Sequence, residues 1–269
     1  MKKCLPLILL ALAALSARAE QITAKVTAVD DDALTFVLDD GREVKVSRGD
    51  ARIGYEGRTI TGQLTPGDPL PSLSEIWPVS PVEDLRELVA IDGKLVADTK
   101  ARGRKAFRQV GEEIPAFALW NQDAELVTNE TFEGHPLVLS FIFTRCKMAT
   151  MCPATTAKMV ALQRQAAEAG LEDARFALIT FDPEYDTPGI FNEYGSQRGV
   201  DFATLSLLTG PKNATDALMR QFGILTIHED GTINHTAATL LIGPDGTILY
   251  RSEGPGWTAA EFLEKLKAE

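Results

Sequence analysis

Seven residues, Leu137 to Phe143, are apolar except for Ser140 and are bounded in front by Gly134-His135-Pro136. A run this short, closed off by turn residues, reads as a strand buried on both faces. Such a strand has no polar side to offer water, so other elements must cover both of its faces. The residues that follow supply them. Pro153 to Ala169 reads as a helix with Pro153 in the first turn, where its missing N–H is harmless. Met159, Leu162, Ala166 and Ala169 fall on one face of that helix. Arg175 to Phe181 reads as a second strand, and Pro188 to Gly199 and Lys212 to Phe222 as two more helices. Ala238 to Ile242 and Thr247 to Tyr250 flank Gly243-Pro244-Asp245-Gly246, a hairpin signal. Thr258 caps a terminal helix that runs to Lys267. Strand, helix, strand, then hairpin and helix is the order of a thioredoxin-like α/β domain, placed here at residues 113–269.

The preceding chain has a different character. Ile22 to Val29, Leu34 to Leu38, Val44 to Val46 and Thr59 to Leu64 are strand-like and are separated by Asp30-Asp31-Asp32, Asp39-Asp40-Gly41 and Glu56-Gly57. That spacing predicts a small β-barrel or meander over residues 20–77. Gln21 to Pro69 contains no Cys, His or Met, so this segment lacks soft metal ligands and points to docking or structure. Residues 78–112 form a helical connector. Leu85, Leu88, Val89, Leu95 and Val96 among many charges give an amphipathic helix from Val82 to Gln109, interrupted at Gly93 and Gly103. Within it, Lys100 to Lys105 is a basic run that reads as a solvated face against an acidic domain.

Residues 1–19 read as a signal peptide. Met1-Lys2-Lys3 is basic, Leu5 to Leu15 is apolar, and Ala17-Arg18-Ala19 offers a small-x-small cleavage pattern. Eleven apolar residues are too few for a permanent anchor, which needs about 20. The expected location is therefore the periplasm or another exported compartment. Cleavage removes Lys2, Lys3 and Arg18 and takes the formal charge from −11 to −14. So acidic a chain is a poor partner for nucleic acid. With no second long apolar run, no membrane span is expected after cleavage.

Export also removes Cys4 and leaves Cys146 and Cys152. Such a pair can close a disulfide, bind a soft metal or alternate between the two. Thr144 to Pro153 follows the buried strand, and open α/β sheets carry their sites at the carboxyl ends of strands. Cys152, next to Pro153, sits at a helix N-terminus, where the dipole and free N–H groups favour a thiolate. Arg145 and Lys147 add positive charge. His235 lies just ahead of the strand at Ala238, where redox-active thioredoxin-like domains place a cis-proline facing the cysteines; the corresponding position, near Ala237, has none. His235 is predicted to approach the cysteine loop, and two thiolates with an imidazole make a three-ligand site suited to copper or zinc. His135 and His228 read as turn residues.

Residues from about Glu113 to Glu269 resemble the Sco/SenC family of copper-binding, thioredoxin-fold proteins that help assemble cytochrome c oxidase. The matching pieces are Phe141-Ile142-Phe143-Thr144-Arg145-Cys146, Cys152-Pro153, Phe181-Asp182-Pro183-Glu184-Tyr185-Asp186-Thr187-Pro188, and His235-Thr236 before Leu241-Ile242-Gly243-Pro244-Asp245-Gly246. The resemblance implies copper bound by Cys146, Cys152 and His235, with the cysteines able to cycle between dithiol and disulfide. It implies as partner a cytochrome c oxidase subunit or another copper protein. Asp182 would orient or tune the site from behind, and Asp186-Thr187-Pro188 would cap the next helix. One departure is the spacing, Cys-x5-Cys where the family usually has Cys-x3-Cys. Met148 and Met151 lie inside the longer loop, either as covering apolar contacts or as thioether ligands for Cu(I). The competing function is a thiol–disulfide oxidoreductase acting on a partner's cysteines without metal. The long loop and the missing proline count against it, and His235 counts for metal. A peroxidase is disfavoured because Pro-x-x-x-Thr-x-x-Cys is not matched around Cys146. A module with one structural disulfide would leave His235 unexplained.

Overall fold

The computed structural model describes residues 19–103, 107–229 and 232–269. The signal-peptide reading, residues 104–105 of the basic run and the Asp230-Gly231 turn lie outside them, the signal peptide save for its last residue.

The first part of the chain closes on itself. Strands β1 (Glu20–Asp30), β2 (Thr35–Leu38), β3 (Glu43–Lys45), β4 (Thr59–Thr65) and β5 (Ser72–Pro78) form a closed barrel in the order β1-β2-β3-β5-β4. Helix α1 (Arg48–Ile53) links β3 to β4, the arrangement of a five-stranded Greek-key barrel of the OB kind. Val26, Phe36, Leu38, Val44, Tyr55, Ile60 and Ile76 fill the interior. Sequence periodicity found four of the five strands. It misses β5 because Leu73 and Ile76, both inward, are three residues apart. Glu75 between them takes a φ of 52°, and the pairing with β4 slips nearby, so the period of two is broken by a bulge. Helix α1 is too short to show a period at all; Ser47 starts it by accepting the Asp50 N–H at 3.0 Å.

Helix α2 (Val82–Arg102) runs through Gly93 without a break and ends before Gly103, whose φ is 76°. A glycine costs a helix interior about 1 kcal/mol. Here docking offsets it: Leu88 and Leu95 are buried, and Thr99 and Asp98 receive hydrogen bonds from Gln221 at 2.9 and 3.0 Å. Leu85 and Val89, expected on the buried stripe, face solvent instead.

The remaining elements are β6 (Ala118–Trp120), β7 (Leu126–Thr128), β8 (Leu137–Ile142), α3 (Cys152–Glu168), β9 (Arg175–Thr180), α4 (Pro188–Gln197), β10 (Leu205–Leu208), α5 (Lys212–Gln221), β11 (Thr226–Glu229), β12 (Thr232–His235), β13 (Ala238–Ile242), β14 (Ile248–Glu253) and α6 (Ala259–Leu266). Five strands make the main sheet in the order β10-β9-β8-β13-β14. The β8–β9 and β9–β10 pairs are parallel, while β13 runs antiparallel to both β8 and β14. All six residues of β8 are buried, as a strand covered on both faces requires. Its one polar residue is matched: Ser140 Oγ lies 2.9 Å from Thr239 Oγ1 and donates to Ala238 O at 3.2 Å. Helix α3 packs against α6, and α2 against α5. The stripe on α3 buries Met159, Leu162 and Ala166, but Ala169 is exposed at its end. Thr258 caps α6 as expected, accepting from the Glu261 N–H at 3.2 Å. His228 is not a turn residue; its backbone pairs with Ile233 inside the β11–β12 ribbon, which sequence reading missed.

Candidate functional site

Strands β8 and β9 run side by side, with Ile142 paired to Thr180, so the segments leaving them emerge together at their carboxyl ends. The first segment carries Thr144, Arg145 and Cys146, the second Asp182 and Asp186. Two carboxylates clamp the first to the second. Asp186 is fully buried and accepts the Thr144 N–H (3.2 Å to Oδ2), the Thr144 hydroxyl and the Thr180 hydroxyl at 2.6 Å. Burial pushes its carboxyl up to about 6, against the pull of the two hydroxyl donors. Asp186 therefore does not cap α4, as the sequence had implied. That role falls to Thr187, whose Oγ1 accepts the Ile190 N–H at 3.4 Å.

Asp182, also buried, accepts two charge-assisted hydrogen bonds from Arg145, at 2.8 Å from Nε and 2.6 Å from a terminal nitrogen. The same guanidinium lies 4.3 Å from the centre of the Tyr185 ring. The positive charge assigned to the cysteine loop at Arg145 is thus taken up by Asp182 and does not serve the sulfurs, while Lys147 is exposed.

Cys146 is half-buried, with its thiol 3.8 Å from the Met148 carbonyl. Lys147 to Thr150 are exposed, and the loop closes on itself where the Met151 N–H donates to Met148 O at 3.0 Å. Met148 is 64% exposed, whereas Met151 is half-buried at the cap position of α3. Cys152 is the first residue of α3 and is buried. Its expected thiolate character is overturned. Burial pushes the thiol up to about 12, the neighbouring Cys146 sulfur adds to the shift, and a hydrogen bond with the Phe143 backbone opposes it. A helix dipole is worth about 0.3–1 kcal/mol at such a position. Removing water from a thiolate outweighs that.

The imidazole reaches this sulfur from the separate β11–β12 ribbon. His235 ends β12, where its backbone pairs with Thr226 of β11. Its Nδ1–H donates to Thr236 O at 2.9 Å, which leaves the Nε2 lone pair facing Cys152 Sγ at 3.9 Å. The ring packs 4.3 Å from the centre of Phe181 and edge-on to Phe143 at 6.1 Å. Burial lowers its pKa below the ordinary histidine value, so the ring is neutral at neutral pH. Cys146, Cys152 and His235 are thus brought to one place, though among the described residues no three Cys, His, Asp or Glu side chains are already gathered as a metal cage. His135 lies elsewhere, with Nδ1 3.1 Å from Asp173 O. Sequence reading missed the Thr144–Asp186 and Arg145–Asp182 clamps; their signal was the placement of both segments just after adjacent parallel strands.

Fold and site together define a thioredoxin-like domain that presents two free thiols and a neutral imidazole at the carboxyl ends of its central strands. A family model described as SCO1/SenC matches residues 105–269. The chain belongs to the SCO1/SenC family. It is 29% identical over 146 residues to the SCO1 protein homolog of Bacillus subtilis, covering 53% of this chain and 74% of that one. It is 30% identical over 147 residues to a protein of Stutzerimonas stutzeri named as a candidate copper-binding protein, covering 53% and 70%. Among solved structures it is similar to BsSco, titled as a member of the Sco family of cytochrome c oxidase assembly proteins with a disulfide switch. That likeness has 26% identity and a TM-score of 0.52, covering 60% of this chain and 95% of that one. The barrel lies outside the family match. Among the described residues no helix is long and apolar enough to cross a membrane.

Proposed function

We propose that Cys146, Cys152 and His235 hold one copper ion, and that the protein, exported to the periplasm, stores that copper or delivers it during cytochrome c oxidase assembly. The observation that carries this reading is the pairing of Cys152 Sγ with an unprotonated His235 Nε2 at 3.9 Å. Two donors sharing a tetrahedral ion at bond lengths of about 2.3 and 2.0 Å stand about 3.5 Å apart, so the pair is within a small side-chain adjustment of ligand spacing. Two sulfurs and an imidazole suit copper. The relative named for copper binding and the Sco structure titled for oxidase assembly support the same assignment.

The surrounding residues have separable tasks. The Thr236 carbonyl fixes the imidazole tautomer, Phe181 and Phe143 keep water from its flanks, and Asp186 and Asp182 hold the segment after β8 that leads into Cys146. Binding displaces the thiol protons, which burial otherwise retains on Cys152. Joining the two sulfurs as a disulfide removes two electrons and two protons and abolishes two donors at once.

Metal analysis tests the reading. The reduced protein should bind one equivalent of copper, and oxidation to the Cys146–Cys152 disulfide should abolish it reversibly. His235→Ala should weaken Cu(II) strongly and Cu(I) less, because Met148 or Met151 can offer thioether to Cu(I) alone. His135→Ala should behave like the parent. Equal uptake by oxidised and reduced protein, or a His235→Ala protein that binds both ions normally, overturns the copper site.

A second reading is favoured by the two free, adjacent thiols, one of them partly exposed. Cys146 as thiolate would attack a partner disulfide, Cys152 would resolve the mixed disulfide, and the partner's two sulfurs would leave reduced. The buried, protonated Cys152 slows that second step. Turnover of a model disulfide without metal decides for this alternative.

A further inference from the structure

The barrel brings no soft ligand, yet it is seated on the segment that holds the cysteine loop. Gly49 in α1 and Gly189 in α4 meet backbone to backbone. A Cβ at Gly49 would lie 1.8 Å from the Gly189 carbonyl oxygen and 3.0 Å from the Glu193 nitrogen. A Cβ at Gly189 would lie 2.1 Å from Asp50 Oδ1. Neither position has room for a methyl group. The Asp50 side chain is 4% exposed, and its Oδ2 accepts the Ser47 hydroxyl at 2.6 Å. Its carboxyl fills the space over the first turn of α4.

That turn is continuous with the clamps. Thr187, which caps α4, follows directly on Asp186, which holds Thr144, and Asp182 four residues earlier holds Arg145. Thr144 and Arg145 lead into Cys146. The next four residues are exposed; besides the local Cys146 N–H to Phe143 O bond at 3.3 Å, the segment leading into Cys146 is tied to the chain after β9 through Asp182, Asp186 and Tyr185. A groove of about 440 Å³ lies alongside, with Ser47, Asp50 and Leu73 from the barrel facing Tyr185, Thr187 and Ile190. The barrel therefore meets the first turn of α4 directly and borders the Glu184–Thr187 stretch across the groove.

We infer that Gly49 and Asp50 are positioning residues: by seating α1 on the start of α4, the barrel fixes the Asp182–Asp186 segment and, through it, the loop that presents Cys146. This rests on the copper-site reading above for its functional meaning, but the mechanical link is measurable without metal. A rigid segment is needed here because a ligand loop with few contacts of its own opens locally at little free-energy cost.

The test uses the full chain with Gly49→Ala, which adds one methyl on the barrel side and touches no loop residue. Hydrogen exchange should show the Thr144 and Cys146 amides losing protection while β8 and β9 keep theirs. The dissociation constant of the reduced protein for Cu(I), read by competition with a chromophoric chelator, should rise about tenfold at unchanged stoichiometry. Gly189→Ala, entering the same contact from the other side, should do the same, and the double variant should add little. Asp50→Ala opens the contact by removing atoms and serves if the glycine variants do not fold. Parental protection at Thr144 and Cys146 in a folded variant whose α1 amides exchange faster overturns the inference. If the parent binds no copper, the copper reading fails, while the exchange result still decides the positioning role.

Discussion

Replacing Asp50 with Asn should abolish one defined part of the protein's pH dependence. Asp50 is 4% exposed, and among the described residues its Oδ1 has no hydrogen-bond partner. Burial pushes its carboxyl up to about 7 from an ordinary 3.8; the Ser47 hydroxyl opposes the shift and Glu193 adds to it. Between about pH 4 and 7 the folded chain keeps a proton that the unfolded chain has released. Unfolding then loses protons, so stability falls as pH rises through that window and levels off above it. Three pH units at about 1.4 kcal/mol each amount to roughly 4 kcal/mol. Asn has the shape of the protonated acid and does not titrate. Parent and Asp50→Asn should therefore be close in stability at pH 4 and diverge above it, the variant being more stable by roughly 4 kcal/mol at pH 8. Urea unfolding of both proteins across this range gives the comparison. Asp92 and Asp186, each raised to about 6 by burial, contribute equally to both curves and cancel in the difference. A difference that stays constant from pH 4 to 8, or that grows towards acid, refutes the assignment of a buried protonated carboxyl.

Three further outcomes follow from the site. Asp182→Asn should weaken copper binding by about 10–100-fold and lower stability by about 1–3 kcal/mol; parental affinity would show that the Arg145 clamp does not hold the loop. Phe181→Ala should lower unfolding free energy by about 3–5 kcal/mol, because its ring packs on both His235 and Phe143 at 4.3 and 5.1 Å, and a loss below about 1 kcal/mol would contradict that packing. Met148→Ala removes a side chain that is 64% exposed and should leave stability within about 0.5 kcal/mol, checked by the same urea curves; a loss above about 1 kcal/mol would show a buried role for this residue.

The sequence by itself determined what depends on near neighbours along the chain. The apolar run at Leu137, the Pro153 helix start, the Gly243 to Gly246 turn and the Thr258 cap each need only a few adjacent residues to act, and each stands in the fold where periodicity and capping put it. The cysteines and His235 were legible as candidates from residue type and order. Their surroundings were not. Strand β5 was hidden by a bulge at Glu75, and the passage of α2 through Gly93 depends on what packs against it. Asp186 looked like a cap because the residue after it is one; its real partner, Thr144, is 42 positions away. Cys152 looked like a thiolate because a helix begins there, and it meets His235 across 83 positions. The charge of a thiol is set by how much water surrounds it and which groups replace that water. Those groups come from the loop after β8, α3 and the β11–β12 ribbon, so only the closed tertiary structure decides that Cys152 keeps its proton until something takes its place.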